Sequence, residues 1–357
     1  MERIPGQLPD VSVVVPVYNA QDYIYNTLLS VIQQTGVSLE IICVNDGSTD
    51  SSGAILQQFE QDDARIVLIQ QENQGLSVSR NVGLRAASGR YVVFLDADDL
   101  WPKDNLAALV KFADAHHVQL LMFDTDAFIE GTSTTDKELL LAYYQPRSEI
   151  REPLIGTAVL AKQLALGQYR QSACLYLINR DWLVHTGLQF TPGFNHEDNA
   201  FTFGLLLQAD RVALLPLKFY SRRIRDGSIT TAQSDVKSVL GYFVAYLDMH
   251  ELFKMLPITN KQYEQIKKYL DYYLRSLKQK YYHLEPSGRD EVIQQIAIRP
   301  GGATLLRKIL ESDHSNHSLS SLAYELRHFI FRLVNRTPFL APLLEVYHRV
   351  RAFKITR

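Results

Sequence analysis

The stretch Tyr91-Val92-Val93-Phe94-Leu95-Asp96-Ala97-Asp98-Asp99 decides how this chain reads. Five apolar or aromatic residues form a strand-like run, and carboxylates follow at Asp96, Asp98 and Asp99. In an extended backbone alternate side chains share a face, so Asp96 and Asp98 project together and Asp99 enlarges the cluster. Such a cluster repels itself, and a hard divalent cation relieves the repulsion. Mg²⁺ or Mn²⁺ takes one or two carboxylates plus the oxygens of a diphosphate. A plainer reading of the same residues is a strand followed by an Asp-rich turn, with Asp99 capping a helix that begins near Pro102.

Working outward, the first 130 residues alternate strand and helix signals. Val11–Val15 is a valine-rich, strand-like run interrupted only at Ser12 and ending at Pro16, after which Ile24, Leu28, Leu29 and Ile32 recur at helical spacing. A strand at Leu39–Val44 leads to the turn Asn45-Asp46-Gly47-Ser48 and a helix capped by Asp50 or Ser51. A strand at Ile66–Ile69, a helix over Leu76–Ala87, a helix at about Pro102–His116 and a strand at about Gln119–Phe123 complete the series. Strands apolar on both faces and separated by helices predict a parallel sheet buried between helix layers, a doubly wound α/β domain.

Composition bounds the rest. At 357 residues the chain exceeds one ordinary core and predicts roughly two domains. With 46% hydrophobic and 21% charged residues and a formal net charge of −2, it has no global field for gripping nucleic acid. Cys43 and Cys174 lie in apolar runs far apart in sequence, which favours buried thiols and a reducing cytoplasm over a disulfide framework or zinc site. The N-terminal residues carry no apolar signal region and no run of about 18 apolar residues occurs, so neither a cleaved signal nor a membrane span is expected.

Loops at strand carboxyl ends form one edge of such a sheet, where an open α/β fold binds its ligand. Three of them carry groups that can bind. The first delivers Pro16-Val17-Tyr18-Asn19, the second Asp46-Gly47-Ser48-Thr49-Asp50, and the fourth Asp96–Asp99. A tyrosine ring stacks on a planar base, an aspartate accepts from a base imide, and Gly47 lets the backbone approach closely. Taken singly, Asp46-Gly47-Ser48 also reads as an ordinary tight turn, Tyr18 as sheet-edge packing, and Arg80 as a solvent-facing helix residue.

Four segments in order and approximate spacing resemble the family 2 glycosyltransferases: Val-Ser-Val-Val-Val-Pro-Val-Tyr-Asn, Val-Asn-Asp-Gly-Ser-Thr-Asp, Asn-Gln-Gly-Leu-Ser-Val-Ser-Arg-Asn-Val-Gly and Phe-Leu-Asp-Ala-Asp-Asp. The resemblance implies the GT-A nucleotide-sugar fold and an inverting enzyme that moves a sugar from a nucleoside diphosphate donor, usually a UDP-sugar, to an acceptor hydroxyl. Matched by position, Pro16, Tyr18 and Asp46 would frame the base, with Asn19 and Gly47 in the same loops. Arg80 would contact the ribose or phosphate side. Asp96 and Asp98 match the family's Asp-x-Asp motif, Asp98 being the first choice as ligand to Mn²⁺ or Mg²⁺. Asp96 would then face ribose or donor sugar, and Asp99 would be a second ligand or an orienting group. A cation at this point stabilises the charge that builds on a departing diphosphate.

Transfer also needs a general base across the sugar from the leaving group. His196-Glu197-Asp198 follows the Pro192-Gly193 turn and opens an apolar helix at about Asn199–Gln208. In the resembling family a Glu-Asp pair here places the second carboxylate as base, which implies Asp198, with Glu197 beside it. Two acids at a helix N-terminus also serve as a routine dipole and capping arrangement. Farther on, Arg223, Arg225 and Ser228 match the family's Arg-x-Arg-x-x-Ser stretch, a loop able to close over a diphosphate. Between these motifs, Ala173–Asn179 and Arg180–Leu188 read as a strand and helix facing the acceptor, a saccharide or lipid-linked saccharide.

After about residue 232 helical periodicity takes over, at Val236–Leu256, Gln262–Tyr282 and Leu319–Val334. The domain reading is therefore a catalytic part over 1–231, with a nucleotide-sugar half at about 10–130 and an acceptor half at about 131–231, then a helical region over 232–357. Residues 301–357 carry nine Lys or Arg against four acids beside apolar side chains such as Phe329, Phe331 and Leu340. Such a tail can lie on an anionic membrane surface at the inner face, pack on the catalytic part, or form a homo-oligomer interface. Two rival readings remain: a silent nucleotide-sugar-binding scaffold, and a sugar nucleotidyltransferase. Against the latter, Pro16-Val17-Tyr18-Asn19 stands where that class carries a Gly-rich basic loop.

Overall fold

The computed structural model describes residues 8–130, 144–224, 235–255 and 260–311. The chain divides into two compact units, Met1–Arg299 and Pro300–Arg357. Strands β1 (Val11–Val17), β2 (Leu39–Asp46), β3 (Ile66–Gln71) and β4 (Tyr91–Phe94) are joined by helices α1 (Ile24–Ile32), α2 (Ser52–Asp62) and α3 (Leu76–Ala86). Helix α4 (Leu106–His116) and strand β5 (Leu120–Ile129) complete the predicted alternation. Next come β6 (Ile150–Leu154), α5 (Gly156–Ala165), a 3-10 turn at Ala173–Leu175, β7 (Tyr176–Asn179), α6 (Arg180–Thr186), α7 (Glu197–Gln208) and β8 (Val212–Ile224). Helices α8 (Val236–Lys254), α9 (Asn260–His283) and α10 (Pro286–Ala297) close the first unit, and α11 (Gly302–Glu311) lies in the second.

The strands form one eight-stranded sheet in the order β3-β2-β1-β4-β7-β5-β8-β6. β1 pairs parallel to β2 and β4, and β2 parallel to β3, with Val13 beside both Ile41 and Val93. β7 runs antiparallel to β4 and to β5, so β4 and β5 point the same way, and β8 runs parallel to β5. The carboxyl ends of β1, β2, β4, β5 and β8 therefore share one rim. All seven residues of β1 and all eight of β2 are buried, as expected of strands covered on both faces. The chain steps from β1 outward to β3 and then returns to β4 on the other side, which puts the topological switch between β1 and β4. Pro16 lies two residues past the last β1–β4 pair, Val14 with Phe94, where those strands have parted.

Two local expectations are corrected. Helix α4 begins at Leu106 rather than near Pro102, because residues 100–105 are held against α1 instead of coiling. Gln34 Nε2 donates to the Pro102 carbonyl at 2.7 Å, Thr35 Oγ1 donates to Asp104 Oδ1 at 2.8 Å, and Asp104 itself takes φ 64, outside the helical region. Asp99 caps nothing; its carboxylate turns inward, and the helix is preceded by Asn105. Strand β5 also runs past the expected Phe123 to Ile129, through a bulge at Asp124 where its register on β8 shifts.

The expected helices at Val236–Leu256 and Gln262–Tyr282 are present as α8 and α9. The expected helix at Leu319–Val334, most of the basic tail, Arg225 and Ser228 lie outside the described residues. Among the described residues no helix is long and apolar enough to cross a membrane.

Candidate active site

The rim is built loop against loop. Tyr18 leaves β1 beside the switch point as a residue 52% exposed, unlike most large aromatic side chains here. Asn19 joins the first two loops: its N–H donates to Ser48 Oγ at 3.1 Å and its Oδ1 accepts from the Thr49 N–H at 2.8 Å. At the end of β2, Asp46 is buried and accepts from Gln71 Nε2 at 2.6 Å and from the N–H groups of Gln74 and Gly75 at 2.8 Å each. Its carboxylate thus organises the turn leading into α3. Gly47 follows at φ 70, and a Cβ there would stand 2.8 Å from the Asn73 backbone nitrogen, so only glycine suits this turn.

Arg80, on α3, is not solvent-facing. Its side chain is 1% exposed, and its guanidinium joins two motifs more than 100 residues apart. Nη1 donates to Glu197 Oε1 at 2.7 Å and to Asp198 Oδ1 at 2.6 Å, while Nη2 donates to Asp96 Oδ1 at 2.8 Å. The Phe190 ring lies 5.2 Å from its centre. Burial works against the charge, and Asp198, Asp96 and Glu197 outweigh it, so the guanidinium's pKa rises well above its ordinary value. The same burial acts on the acids. Burial and the neighbouring Asp198 push Glu197 up to about 7 against the pull of Arg80, and burial also raises Asp198. Asp198 keeps an exposed fraction of 21%, and its Oδ2 accepts from the Ala173 N–H at 3.3 Å.

The Asp96–Asp99 loop is braced from β8. Tyr220 donates its hydroxyl to Asp99 Oδ2 at 2.5 Å and accepts the Asp96 N–H at 3.4 Å. Arg223 donates its N–H to Asp99 Oδ1 at 2.7 Å and its Nε to the Asp98 carbonyl at 2.8 Å. Burial, with the charges of Asp96 and Asp98, pushes Asp99 up to about 7. Both Asp99 oxygens are therefore engaged by protein, whereas Asp96 keeps Oδ2 clear of Arg80 and the Asp98 side chain is half-buried. Among the described residues no three His, Cys, Asp or Glu side chains form a cage of their own. A donor set of Asp98 with Asp96 fits a hard cation that completes its shell from a diphosphate.

Alternation along β8 divides the arginines. The Arg223 side chain turns to Glu130, with Nη1 2.7 Å from Oε2, and sits 5.0 Å from the Tyr23 ring and 4.8 Å from that of Phe128. Arg222 takes the other side, where its charge acts on Asp99, Asp96 and Asp198. Sequence reasoning singled out Arg223 and passed over Arg222 and Tyr220. The period-two pattern of Tyr220, Arg222 and Ile224 was the signal that could have found them.

The structure thus brings Tyr18, Asn19, Asp96, Asp98, Glu197 and Asp198 to one rim around the buried Arg80. Oxygen donors for a cation stand on one side and a partly exposed carboxylate, Asp198, on the other. Such an arrangement can hold an anionic leaving group and deprotonate a hydroxyl.

The model of the family "Glycosyl transferase family 2" matches residues 12–182. The putative glycosyltransferase EpsH of Bacillus subtilis is 31% identical over 273 residues, 75% of this chain and 75% of that relative. Glycosyltransferase GlyA of Streptococcus pneumoniae is 33% identical over 224 residues, 62% of this chain but 31% of that longer relative. Among solved structures, Staphylococcus aureus TarS 1–349 in complex with UDP-GlcNAc superposes with a TM-score of 0.67 at 20% identity, covering 84% of this chain and 81% of that one. The mannosyltransferase PcManGT of Pyrobaculum calidifontis, in complex with GDP-Man and Mn²⁺, gives a TM-score of 0.54 at 16% identity, covering 85% of this chain and 80% of that one. With the eight-stranded sheet and its acidic rim, these likenesses identify a GT-A fold, and the chain belongs to glycosyl transferase family 2.

Proposed function

We propose that this glycosyltransferase moves a sugar from a nucleoside diphosphate donor, a UDP-sugar first among them, to a hydroxyl of a saccharide or lipid-linked saccharide, with inversion at the anomeric carbon. The observation that carries the reading is the Arg80 guanidinium, bonded at once to Asp96 on the donor rim and to Glu197 and Asp198 across it. In this reading Tyr18 offers its ring to the base and Asp98 with Asp96 would hold Mn²⁺ or Mg²⁺. When bound, that ion supplies Lewis-acid stabilisation of the departing diphosphate. PcManGT binding GDP-Man with Mn²⁺ and TarS binding UDP-GlcNAc support that donor class.

Asp198 accepts the proton of the acceptor hydroxyl. The oxygen forms its bond to the anomeric carbon as the bond to the diphosphate breaks, and the electron pair leaves with the diphosphate. Each carboxylate oxygen has two lone pairs, so the Arg80 bond leaves Asp198 able to accept. Arg80 holds the carboxylate in place and Glu197 completes its buried environment. Arg222 adds positive charge toward the same rim. The buried, unpaired Cys43 and Cys174 support a reducing, cytoplasmic site of action.

The test is a panel of UDP-, GDP- and dTDP-sugars, followed by thermal shift and by nucleotide release, with wild-type protein and Asp198→Asn. The expected result is a raised melting point for one nucleotide class in both proteins. Release should occur only from wild type. Donor binding without release from wild type would favour a silent sugar-nucleotide-binding subunit instead.

A further inference from the structure

Residues 191–199, which deliver Glu197 and Asp198, are fastened from helices α8 and α9. Thr191 Oγ1 donates to Asp248 Oδ2 at 2.6 Å. Gly241 approaches Asn195 so closely that a Cβ on it would lie 2.0 Å from the Asn195 carbonyl oxygen. His196 Nε2 stands 2.9 Å from Ser238 Oγ, and its ring packs on Tyr242 with centroids 4.1 Å apart. Asn199 Nδ2 donates to the Tyr273 hydroxyl at 2.7 Å. His196 holds φ 65, a left-handed backbone that a histidine adopts only at an energetic cost. That conformation sits directly before the first turn of α7, and it turns the chain into Glu197 and Asp198.

None of these contacts touches the rim loops that would bind a donor. Asp46 and Asp96–Asp99 are braced instead by β3, α1, α3 and β8. Arg80 on α3 bonds to both halves of the site, and beyond that shared guanidinium the carboxylate half depends on helices that lie after the sheet in sequence. A base displaced by about 1 Å can lose on the order of a hundredfold in rate.

We infer that α8 and α9 are a working part of the site: Ser238, Gly241, Tyr242 and Tyr273 are positioning residues that set where the Asp198 carboxylate stands. The inference rests on Asp198 being the base, as proposed above. A longer side chain at 241 must push the Asn195 carbonyl, and with it the turn through His196, away from its seat. Removing the Ser238 hydroxyl takes away the partner of His196 Nε2, leaves its ring held by Tyr242, and does not alter the helix.

The full chain is compared as wild type, Gly241→Ala, Ser238→Ala and Ser238→Thr. Nucleotide release is followed with the UDP-sugar that wild type turns over fastest, and donor affinity is measured by calorimetry. Alanine raises helix propensity at position 241, so α8 itself is not weakened by that change. The expected result for Gly241→Ala is a kcat at least tenfold lower with donor Kd within twofold of wild type. Ser238→Ala should lose about threefold in kcat, and Ser238→Thr, which keeps a hydroxyl, should recover it. Wild-type kcat in both alanine variants overturns the inference while leaving the base assignment intact. A kcat and a donor affinity that fall together also overturn it, since that pattern reports general loosening. A wild-type protein that binds sugar nucleotide but never releases nucleotide overturns the base assignment and this inference with it.

Discussion

Replacing Arg80 with methionine tests the centre of the site. The variant keeps a long apolar stem on Phe190 and removes a guanidinium that makes three bonds of 2.6 to 2.8 Å. Breaking a buried ion pair from one side costs about 3–5 kcal/mol, because the remaining charge stays desolvated. The three bonds do not add. Asp96 is 37% exposed, so its share is screened by water and falls to about 0–1 kcal/mol. Burial and Asp198 already push Glu197 up to about 7, so without the opposing pull of Arg80 it takes up a proton at neutral pH and caps its own penalty. The net expectation is a loss of about 3–4 kcal/mol. At roughly 2 °C per kcal/mol for a unit of this size, the melting point drops by about 6–8 °C.

The loss also carries a pH signature. Without Arg80 the folded-state pKa of Glu197 rises further above its unfolded value, so the folded chain binds more protons than the unfolded one between those two values. Stability then grows as pH falls through that window and is lost as pH rises above it. Melting curves of wild type and Arg80→Met at pH 8 and 5.5 should converge toward the lower pH. Adding Glu197→Gln and Asp198→Asn to Arg80→Met should restore most of the stability, since an uncharged replacement for a buried ion cluster is close to neutral. A loss under about 1 kcal/mol, or one equal at both pH values, would refute the reasoning.

Other expectations concern the cation, the base and the fold. Asp98→Ala should abolish the Mn²⁺-dependent part of donor affinity in calorimetry while leaving the melting point of the free protein within about 2 °C, as expected for a half-buried rim residue. The acid limb of kcat against pH should lie above the ordinary aspartate range. Burial raises Asp198, and a base works only when deprotonated, so activity falls as pH drops through the raised value. Asp198→Asn should remove that limb together with turnover. Glu40→Ala should cost about 3 kcal/mol in chemical denaturation, because the buried carboxylate accepts from the Ser12 and Ser88 hydroxyls and from the N–H groups of Ser88 and Gly89.

What could be read from the chain, and what could not, follows from the reach of each interaction. β1 and β2 were legible because burial on both faces selects a mostly apolar run, broken by Ser12 in the first and Glu40 in the second, and the Asp96–Asp99 loop because it follows an apolar run at once. The start of α4 was not legible. Pro102 suits a first helical turn, but Ser30, Gln34 and Thr35, some 70 residues earlier, and Ser221, far later, hold the 100–105 segment out of it. Arg80 illustrates the same limit at the site: nothing within its own helix indicates that its partners stand at 197 and 198.

Local chemistry named the acids, but the topology decides which of them meet at one rim and which share a buried arginine. The sequence break near residue 232 marks a change of periodicity from sheet to helix, yet α8, α9 and α10 belong to the same compact unit, Met1–Arg299, as the sheet. A hydrophobic period reports the element to which a residue belongs and is blind to the element against which it packs. For that reason the carboxylate half of this site could be named from Glu197 and Asp198, while its support at Ser238, Gly241 and Tyr273 became visible only in three dimensions.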